Sequence, residues 1–473
     1  MGGPAREGIR GDAIAVNATH DILNLPHVRA MGVQQHDTHY VISAVGGVEP
    51  TACPHCGSEA LHRHGTKLQS FMDTPMHGKR VELSFERKRF RCTACGKTLL
   101  DSLPSMDGKR QMTSRLVAYI EQRCIQSTFA EVSREVGVDD KTIRHVFDDY
   151  TARTQQTVVY EVPRVLGIDE LKIVGEYRCM LTNIEKNSVF DLLKTRRKVD
   201  LLAYFKELRD KKNVEVVTMD MWSVYRQVVA AQLPGRPVVV DKFHVVRMAN
   251  DAIERIRKRI RRELEPKTRI KMKNERFVLL KRLHELTDEE KEKLQAWSKL
   301  YPALALAHEA KEGFYAIYDQ PNRQAAEAEA RAWLTRLSPL IATEFRETAG
   351  ALNSWRQEIF NFYDYPVTNA YTESVNRLAK DVNRMGRGYS FDVIRARLLF
   401  DQEARKPTSG VVRTKSRKPV DGGDSGGFMA EFMAGPSQQR KRPVLREVIE
   451  ERKVEYGPHI PTLCRLLEEG HFD

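Results

Sequence analysis

The chain has 473 residues, 41% of them hydrophobic, and carries 77 Lys and Arg against 64 Asp and Glu, a formal net charge of +13. That length allows roughly two to four domains, and the positive excess favours nucleic acid or another acidic partner. No apolar run has the length of a membrane span, and the opening MGGPAREGIRGDA lacks the apolar core of a secretory signal. Seven cysteines, an odd number, argue against a disulfide framework. A cytoplasmic protein is the expectation.

Residues 1–45 form an N-terminal segment without a motif. In residues 46–105, Cys53-Pro-His-Cys56-Gly57 and Cys92-Thr-Ala-Cys95-Gly96 are two knuckles separated by 35 residues. Each pair can grip one metal from a tight turn, and the glycine after it permits the left-handed backbone the turn needs. Together they supply Cys53, Cys56, Cys92 and Cys95 as the closed four-sulfur shell of one structural Zn²⁺. The long spacing predicts an inserted hairpin, with VELSFERKRFRC as one strand. Arg87, Lys88 and Arg89 on that strand suit phosphate contact. Cys124, Cys179 and Cys464 stand alone and read as buried thiols.

Residues 108–155 fit a helix-turn-helix. Ala130, Val132 and Val136 mark a first helix, Gly137 a turn, and Asp139 or Asp140 the cap of a second helix. Ile143, Val146 and Phe147 form its inner face, leaving Thr142, Arg144 and His145 outward to read a DNA groove.

Residues 157–250 alternate strand and helix patterns, as an α/β domain does. RVLGIDELKIV, EYRCMLTNIEK and SVFDLLKTR read as three strands. VDLLAYFKELRDKK reads as a helix, VEVVTMDMW as a fourth strand ending in Asp220, SVYRQVVAAQL as a helix, and RPVVVDKFHVV as a fifth strand carrying Asp241. This order is that of a ribonuclease-H-like fold, which brings Asp169 and Asp220 together although they lie 51 positions apart. Glu170 is expected to face away from Asp169, because side chains alternate along a strand.

Residues 251–358 are helical in pattern and read as an insertion, with Trp297, Trp333 and Trp355 as core anchors. Ten Lys or Arg fall between Arg255 and Lys273, a density that repels itself unless a polyanion lies beside it. Arg257, Lys258 and Arg261 are its candidate DNA contacts. Residues 359–404 return to the core with a long helix. On it Val375, Leu378, Val382 and Met385 make one face, while Glu373, Asn376, Arg377, Lys380 and Arg384 make the other. Glu373 supplies a third acid, and Arg377, Lys380 and Arg384 a basic row beside it. Residues 405–473 read as a polar linker and tail, with VLREVIEERK as a short amphipathic helix.

The ribbon, the helix-turn-helix and the blocks GIDE, TMDMW, VVVDKFHVV and TNAYTESVNRLAK, across roughly residues 50–405, resemble the ISL3-type transposases of bacterial insertion sequences. The resemblance implies a DDE catalytic domain with Asp169, Asp220 and Glu373 as catalytic, metal-binding acids and terminal inverted repeats as the DNA site. Three such carboxylates suit two Mg²⁺ ions, with Mn²⁺ as a substitute. Double-stranded DNA, both transposon ends and target, is then the partner, the chain acts as a homodimer on paired ends, and its place is the nucleoid. Asp241 admits two roles, metal ligand or strand-end pin. His244 admits phosphate contact or a structural hydrogen bond, and Trp222 admits base stacking or core packing. The rival functions are a non-catalytic DNA-binding regulator, such as a domesticated transposase, and a structure-selective nuclease of the same fold.

Overall fold

The computed structural model describes residues 23–158 and 160–400, together with the backbone of 409–419 and 445–455. The chain divides into two compact units at Val158 and Val159.

The first unit begins with strands β1 (Val28–Gln35), β2 (His39–Gly46), β3 (Leu61–Met76), β4 (Lys79–Cys92) and β5 (Thr98–Leu100). They form one sheet in the order β1-β2-β4-β3, with β5 paired to β4. β3 and β4 are antiparallel from Leu61↔Cys92 to Met76↔Lys79 and are the hairpin that the cysteine spacing predicts. Val81, Leu83 and Phe85 alternate along β4 and bury against Ile42, Ala44 and Phe71. The basic stretch of this strand does not all face water. Arg87 has a side chain only 13% exposed and pairs with the buried Asp101 at 2.8 Å, so its charge is spent inside the sheet. Lys88 pairs with Glu49 at 2.7 Å on the surface, and Arg89 donates from Nε to the His64 carbonyl at 2.9 Å.

Three helices follow, α1 (Ser114–Gln126), α2 (Phe129–Val136) and α3 (Asp140–Thr157). Thr128 and Glu131 form a capping box on α2. Gly137, at φ 75°, ends it in the left-handed conformation. Asp139 then caps α3 by accepting from the Thr142 N–H at 2.9 Å. Val132, Val136, Ile143, Val146 and Phe147 are buried as expected. Ala130 is not: it is exposed, and Phe129 takes the inward place one residue earlier.

The second unit carries β6 (Val165–Ile173), β7 (Glu176–Asn183), β8 (Ser188–Leu193), α4 (Lys198–Glu207), β9 (Val216–Met219), α5 (Ser223–Gln232) and β10 (Val238–Val240). The sheet order is β10-β9-β6-β7-β8. β6 pairs antiparallel with β7 and parallel with β9; β10 continues parallel to β9. The strand carrying Asp169 is therefore central. The fifth strand is shorter than its sequence suggests. It stops at Val240, Asp241 caps the next helix, and Phe243, His244, Val245 and Val246 are helical. The side chain of Asp241 accepts the Phe243 N–H at 3.0 Å, which favours a helix start over a longer strand.

Helices α6 (Lys242–Arg262), α7 (Pro266–Asn274), α8 (Arg276–Leu280), α9 (Asp288–Leu300), α10 (Pro302–Tyr318), α11 (Arg323–Arg336), α12 (Ala342–Ser354) and α13 (Arg356–Asp364) lie in the chain between the sheet and the third acid. Their apolar faces join those of the sheet in one core, anchored by Trp297, Trp333 and Trp355. Buried Asn361 on α13 donates to the Val238 carbonyl of β10 at 2.8 Å. The long helix expected after residue 365 is α14 (Ala370–Met385), and its continuation is a separate helix, α15 (Phe391–Phe400).

Beyond it, β11 (Ser409–Pro419) and β12 (Leu445–Glu455) pair antiparallel. The expected linker thus contains a strand, and the expected helix in VLREVIEERK is a strand instead. Its Val and Ile residues suit either state, and the ladder with a partner strand decides between them. Cys464 and residues 420–444 lie outside the described residues.

Candidate functional sites

In the first unit, the Sγ atoms of Cys53 and Cys95 are 3.7 Å apart and those of Cys56 and Cys92 3.6 Å. All four sulfurs lie within 4.8 Å of one another. A tetrahedron with Zn–S bonds of about 2.3 Å has edges of about 3.8 Å, so the set fits zinc without rearrangement. Gly57 and Gly96 hold φ of 73° and 70° after the two knuckles. Their N–H groups donate to the Cys53 and Cys92 carbonyls at 2.8 and 2.9 Å, closing each turn. The Cys92 thiol is held down at about 7, first by the Cys95 backbone N–H and then by that of Ala94. Those donors favour the thiolate that binds metal.

In the second unit, Asp169 sits midway along β6 and is 5% exposed. Its Oδ1 accepts its neighbour Glu170 N–H at 2.6 Å. Its Oδ2 accepts Asn376 Nδ2 of α14 at 2.7 Å. Asp220 follows the last residue of β9, and Glu373 lies in the first turn of α14. Burial pushes the Asp169 carboxyl up to about 8, helped by the nearby Asp220 and opposed by His244. Burial also raises Glu373, with Asp241 adding to it, and it raises Asp241 against the Phe243 N–H bond.

His244, one turn into α6, lies among these acids. Its Nδ1 is 2.8 Å from Asp220 Oδ1 and 3.7 Å from Glu373 Oε1. Burial disfavours its charge, but Asp220, Glu373 and Asp241 outweigh that and raise the ring to about 9. The 2.8 Å approach is a charge contact rather than a directed hydrogen bond. Asp220 Oδ1, Asp241 Oδ2 and His244 Nδ1 are all buried atoms without a well-formed partner. Buried polar atoms left this way are costly, and a divalent cation is the ligand that such a donor set fits.

The placement of α14 depends on a polar ladder that the helical wheel did not reveal. Asn369 Nδ2 donates to the Ile168 carbonyl at 3.2 Å. Thr372 donates to Asn369 Oδ1 at 2.6 Å and meets Thr182 Oγ1 at 2.7 Å. Gly167 makes room for these hydroxyls: a Cβ there would lie 2.3 Å from Thr182 Oγ1 and 2.6 Å from Thr372 Oγ1. Asn376, expected to face outward with Glu373, is 5% exposed and belongs to this inner face. Met385, expected inside, is 54% exposed. The apolar stripe ends a turn early because the helix ends at Gly386.

Glu170 lines a cleft of about 620 Å³ together with Asp220, Trp222 and His244. It pairs with Arg196, whose guanidinium lies 4.0 Å from the Tyr177 ring and 4.7 Å from that of Trp222. Trp222 packs edge-on against Tyr225 at 4.6 Å.

The remaining basic candidates divide. Arg377, Lys380 and Arg384 are exposed on α14, with Arg384 paired to Asp381. Lys258 is exposed and Arg261 half-buried. Arg257 is turned inward: it is 2% exposed, pairs with Glu254 at 2.7 Å and donates to the Met272 carbonyl at 3.2 Å. In the first unit Thr142 and Arg144 are half-buried and His145 exposed; the Arg144 guanidinium lies 5.5 Å from the Phe129 ring. No helix among the described residues is long and apolar enough to cross a membrane.

Three segments of the chain match models of known transposases. Residues 49–95 match the zinc-finger of transposases IS204/IS1001/IS1096/IS1165. Residues 102–151 match the helix-turn-helix domain of transposase family ISL3, and residues 166–398 match the transposase domain of that family. The chain is 24% identical to the transposase for insertion sequence element IS1001 of Bordetella parapertussis over 76% of its own length and 92% of that protein. It is 21% identical to the transposase for insertion sequence element IS1557 of Mycobacterium tuberculosis, over 71% of its length and 82% of that protein. With ribbon, helix-turn-helix and catalytic domain all matched in order, the chain belongs to the ISL3 family of insertion-sequence transposases and is a DNA transposase.

Proposed function

We propose that the chain binds the terminal inverted repeats of its element through the ribbon and helix-turn-helix, and that a ribonuclease-H-like core cuts and joins DNA strands at Asp169, Asp220 and Glu373. The observation that carries this reading is the gathering of three acids around His244 from positions 51 and 204 residues beyond the first. The β-β-β-α-β-α-β order with a central first strand supports the fold. Helices α6–α13 are then an insertion between the second and third acids, sharing the core of the sheet.

Asp169, Asp220 and Glu373 would hold two Mg²⁺ ions, with Mn²⁺ able to substitute, and the bound ions would supply Lewis-acid activation and charge stabilisation for the phosphoryl transfer. The chain's own contribution is positional. Asn376 and the Glu170 N–H fix both oxygens of Asp169. The ladder through Asn369, Thr372 and Thr182 fixes α14 against the sheet, and with it Glu373. Exposed Arg377 and Lys380 on the same helix, and Lys258 on α6, offer charge to a DNA backbone passing the acids. Synapsis of two ends calls for a homodimer.

A strand-cleavage and strand-transfer assay on the element's end DNA with Mg²⁺ tests the reading. Asp220→Asn should abolish both steps and leave end binding intact. Tight end binding by the unaltered protein without any nicking would favour a regulator, and cleavage of junctions irrespective of end sequence would favour a nuclease. Full cutting by Asp220→Asn would overturn the site.

A further inference from the structure

Asp241, His244 and Glu373 each bring one ligand atom to within 4.8 Å of the others. They come from the cap of α6, its first turn and the first turn of α14. Asp241 is 3% exposed, and its Oδ1 is occupied by the Phe243 N–H at 3.0 Å. Its Oδ2 is buried with no well-formed hydrogen bond, as is His244 Nδ1, whose nearest neighbour is Asp220 Oδ1 in a charge contact at 2.8 Å. A six-coordinate ion with bonds of about 2.1 Å places neighbouring ligands about 3 Å apart and opposite ones about 4.2 Å apart. The 3.7 Å between His244 Nδ1 and Glu373 Oε1 falls between those two spacings, so a small side-chain shift closes the pair onto one ion. Asp169, by contrast, already accepts a protein hydrogen bond on each oxygen.

We propose that Asp241 and His244 join Glu373 in holding one of the two cations, so that the centre has a mixed nitrogen–oxygen position beside an all-carboxylate position at Asp169 and Asp220, and that the mixed position selects Mn²⁺ over Mg²⁺. This rests on the metal-dependent reading above and specifies its ligands. Mg²⁺ is a hard ion that prefers oxygen and keeps its waters. Imidazole nitrogen suits transition-metal ions better than Mg²⁺; Mn²⁺ binds nitrogen least of that series and is the member that also accepts the oxygen ligands Mg²⁺ takes. One imidazole in the set therefore tilts that position toward Mn²⁺ while the carboxylate position stays permissive. Asp241 performs two tasks with its two oxygens, one capping the helix and one facing the ion, and so ties the start of α6 to the centre.

The test is Mn²⁺ titration of the full-length, zinc-loaded protein, read by the free-ion EPR signal for stoichiometry and by pulsed EPR for nitrogen coupling. The expected result is about two Mn²⁺ per chain, with the nitrogen coupling of a directly bound imidazole. His244→Ala should remove that coupling and lower the stoichiometry to about one. Asp241→Asn, which keeps an oxygen to cap α6, should weaken the same ion. Asp169→Asn should lose the other ion and retain the coupling. Mn²⁺ bound in full by His244→Ala, or bound to the unaltered protein without nitrogen coupling, would overturn the mixed position and leave the carboxylate centre standing. Failure of Asp169→Asn and Asp220→Asn to change Mn²⁺ binding at all would overturn the carboxylate centre itself.

Discussion

The ligand atoms of the four ribbon cysteines lie within 4.8 Å of one another, as do those of Asp241, His244 and Glu373, but the two sites are built in opposite ways. Each cysteine pair is local, held by a turn with its own glycine, and a single hairpin closes the square. The acids come from a mid-strand position, a strand end and two helix starts. The sulfur shell is complete in itself, which suits a structural metal. The acidic set opens onto a cleft and leaves buried atoms without partners, which suits a centre that must admit a substrate. One site would stabilise its unit through the metal, and the other crowds several acids around a single His244.

Substitutions at the two sites should separate these roles. Glu373→Gln should cost several kcal/mol of transition-state stabilisation, on the order of 10³-fold in strand cleavage. It should leave the melting temperature of the magnesium-free protein unchanged or higher, because a charge is removed from a crowded buried set. A marked fall in melting temperature would mean that the carboxylate is a structural partner instead. Cys53→Ser should do the reverse. Structural zinc contributes about 10 kcal/mol or more in small zinc domains, so zinc content should fall, the ribbon should lose its protection from proteolysis, and end binding should weaken. Retention of a full zinc complement would break the four-cysteine assignment.

Asn376→Ala tests the support beneath the acids. Removing a group that orients a metal-binding residue typically costs about 10–100-fold in activity or metal affinity, and Asp169 Oδ2 would lose its 2.7 Å donor. Unchanged cleavage kinetics would show that the Glu170 N–H alone orients Asp169. Gly167→Ala should have the smallest effect, a destabilisation of about 1–3 kcal/mol from overpacking against Thr182 and Thr372. It should be visible in urea unfolding of the second unit, with zinc content unaltered. A neutral result would mean that α14 can shift away from the sheet without loss.

Much of the zinc site was legible because its chemistry is written in adjacent residues: a thiol pair, its spacing and its glycine recur twice. The helix-turn-helix was legible in outline for the same local reason, since Gly137 and Asp139 are a stop and a start. Its inner face was read one residue late at Ala130, where a nearby Phe129 buries more area. The charged rows were the weakest reading. Arg87 and Arg257 look like their exposed neighbours in sequence, yet each finds a carboxylate inside its own unit. Nothing in a run of like charges says which member turns inward.

The sequence by itself determined most elements of the second unit and marked out Asp169, Asp220 and Glu373 as candidates, because strand and helix periods are local and a carboxylate inside an apolar strand such as Asp169 is conspicuous. Only the tertiary structure decided that Asn376 belongs with Asp169, that Glu170 pairs with Arg196 over a cleft, and that Asp241 caps a helix with His244 one turn behind. Those relations join residues as much as 207 positions apart. They depend on which face of a helix meets the sheet, and a buried amide on a polar face carries no mark of its partner until the two surfaces are brought together.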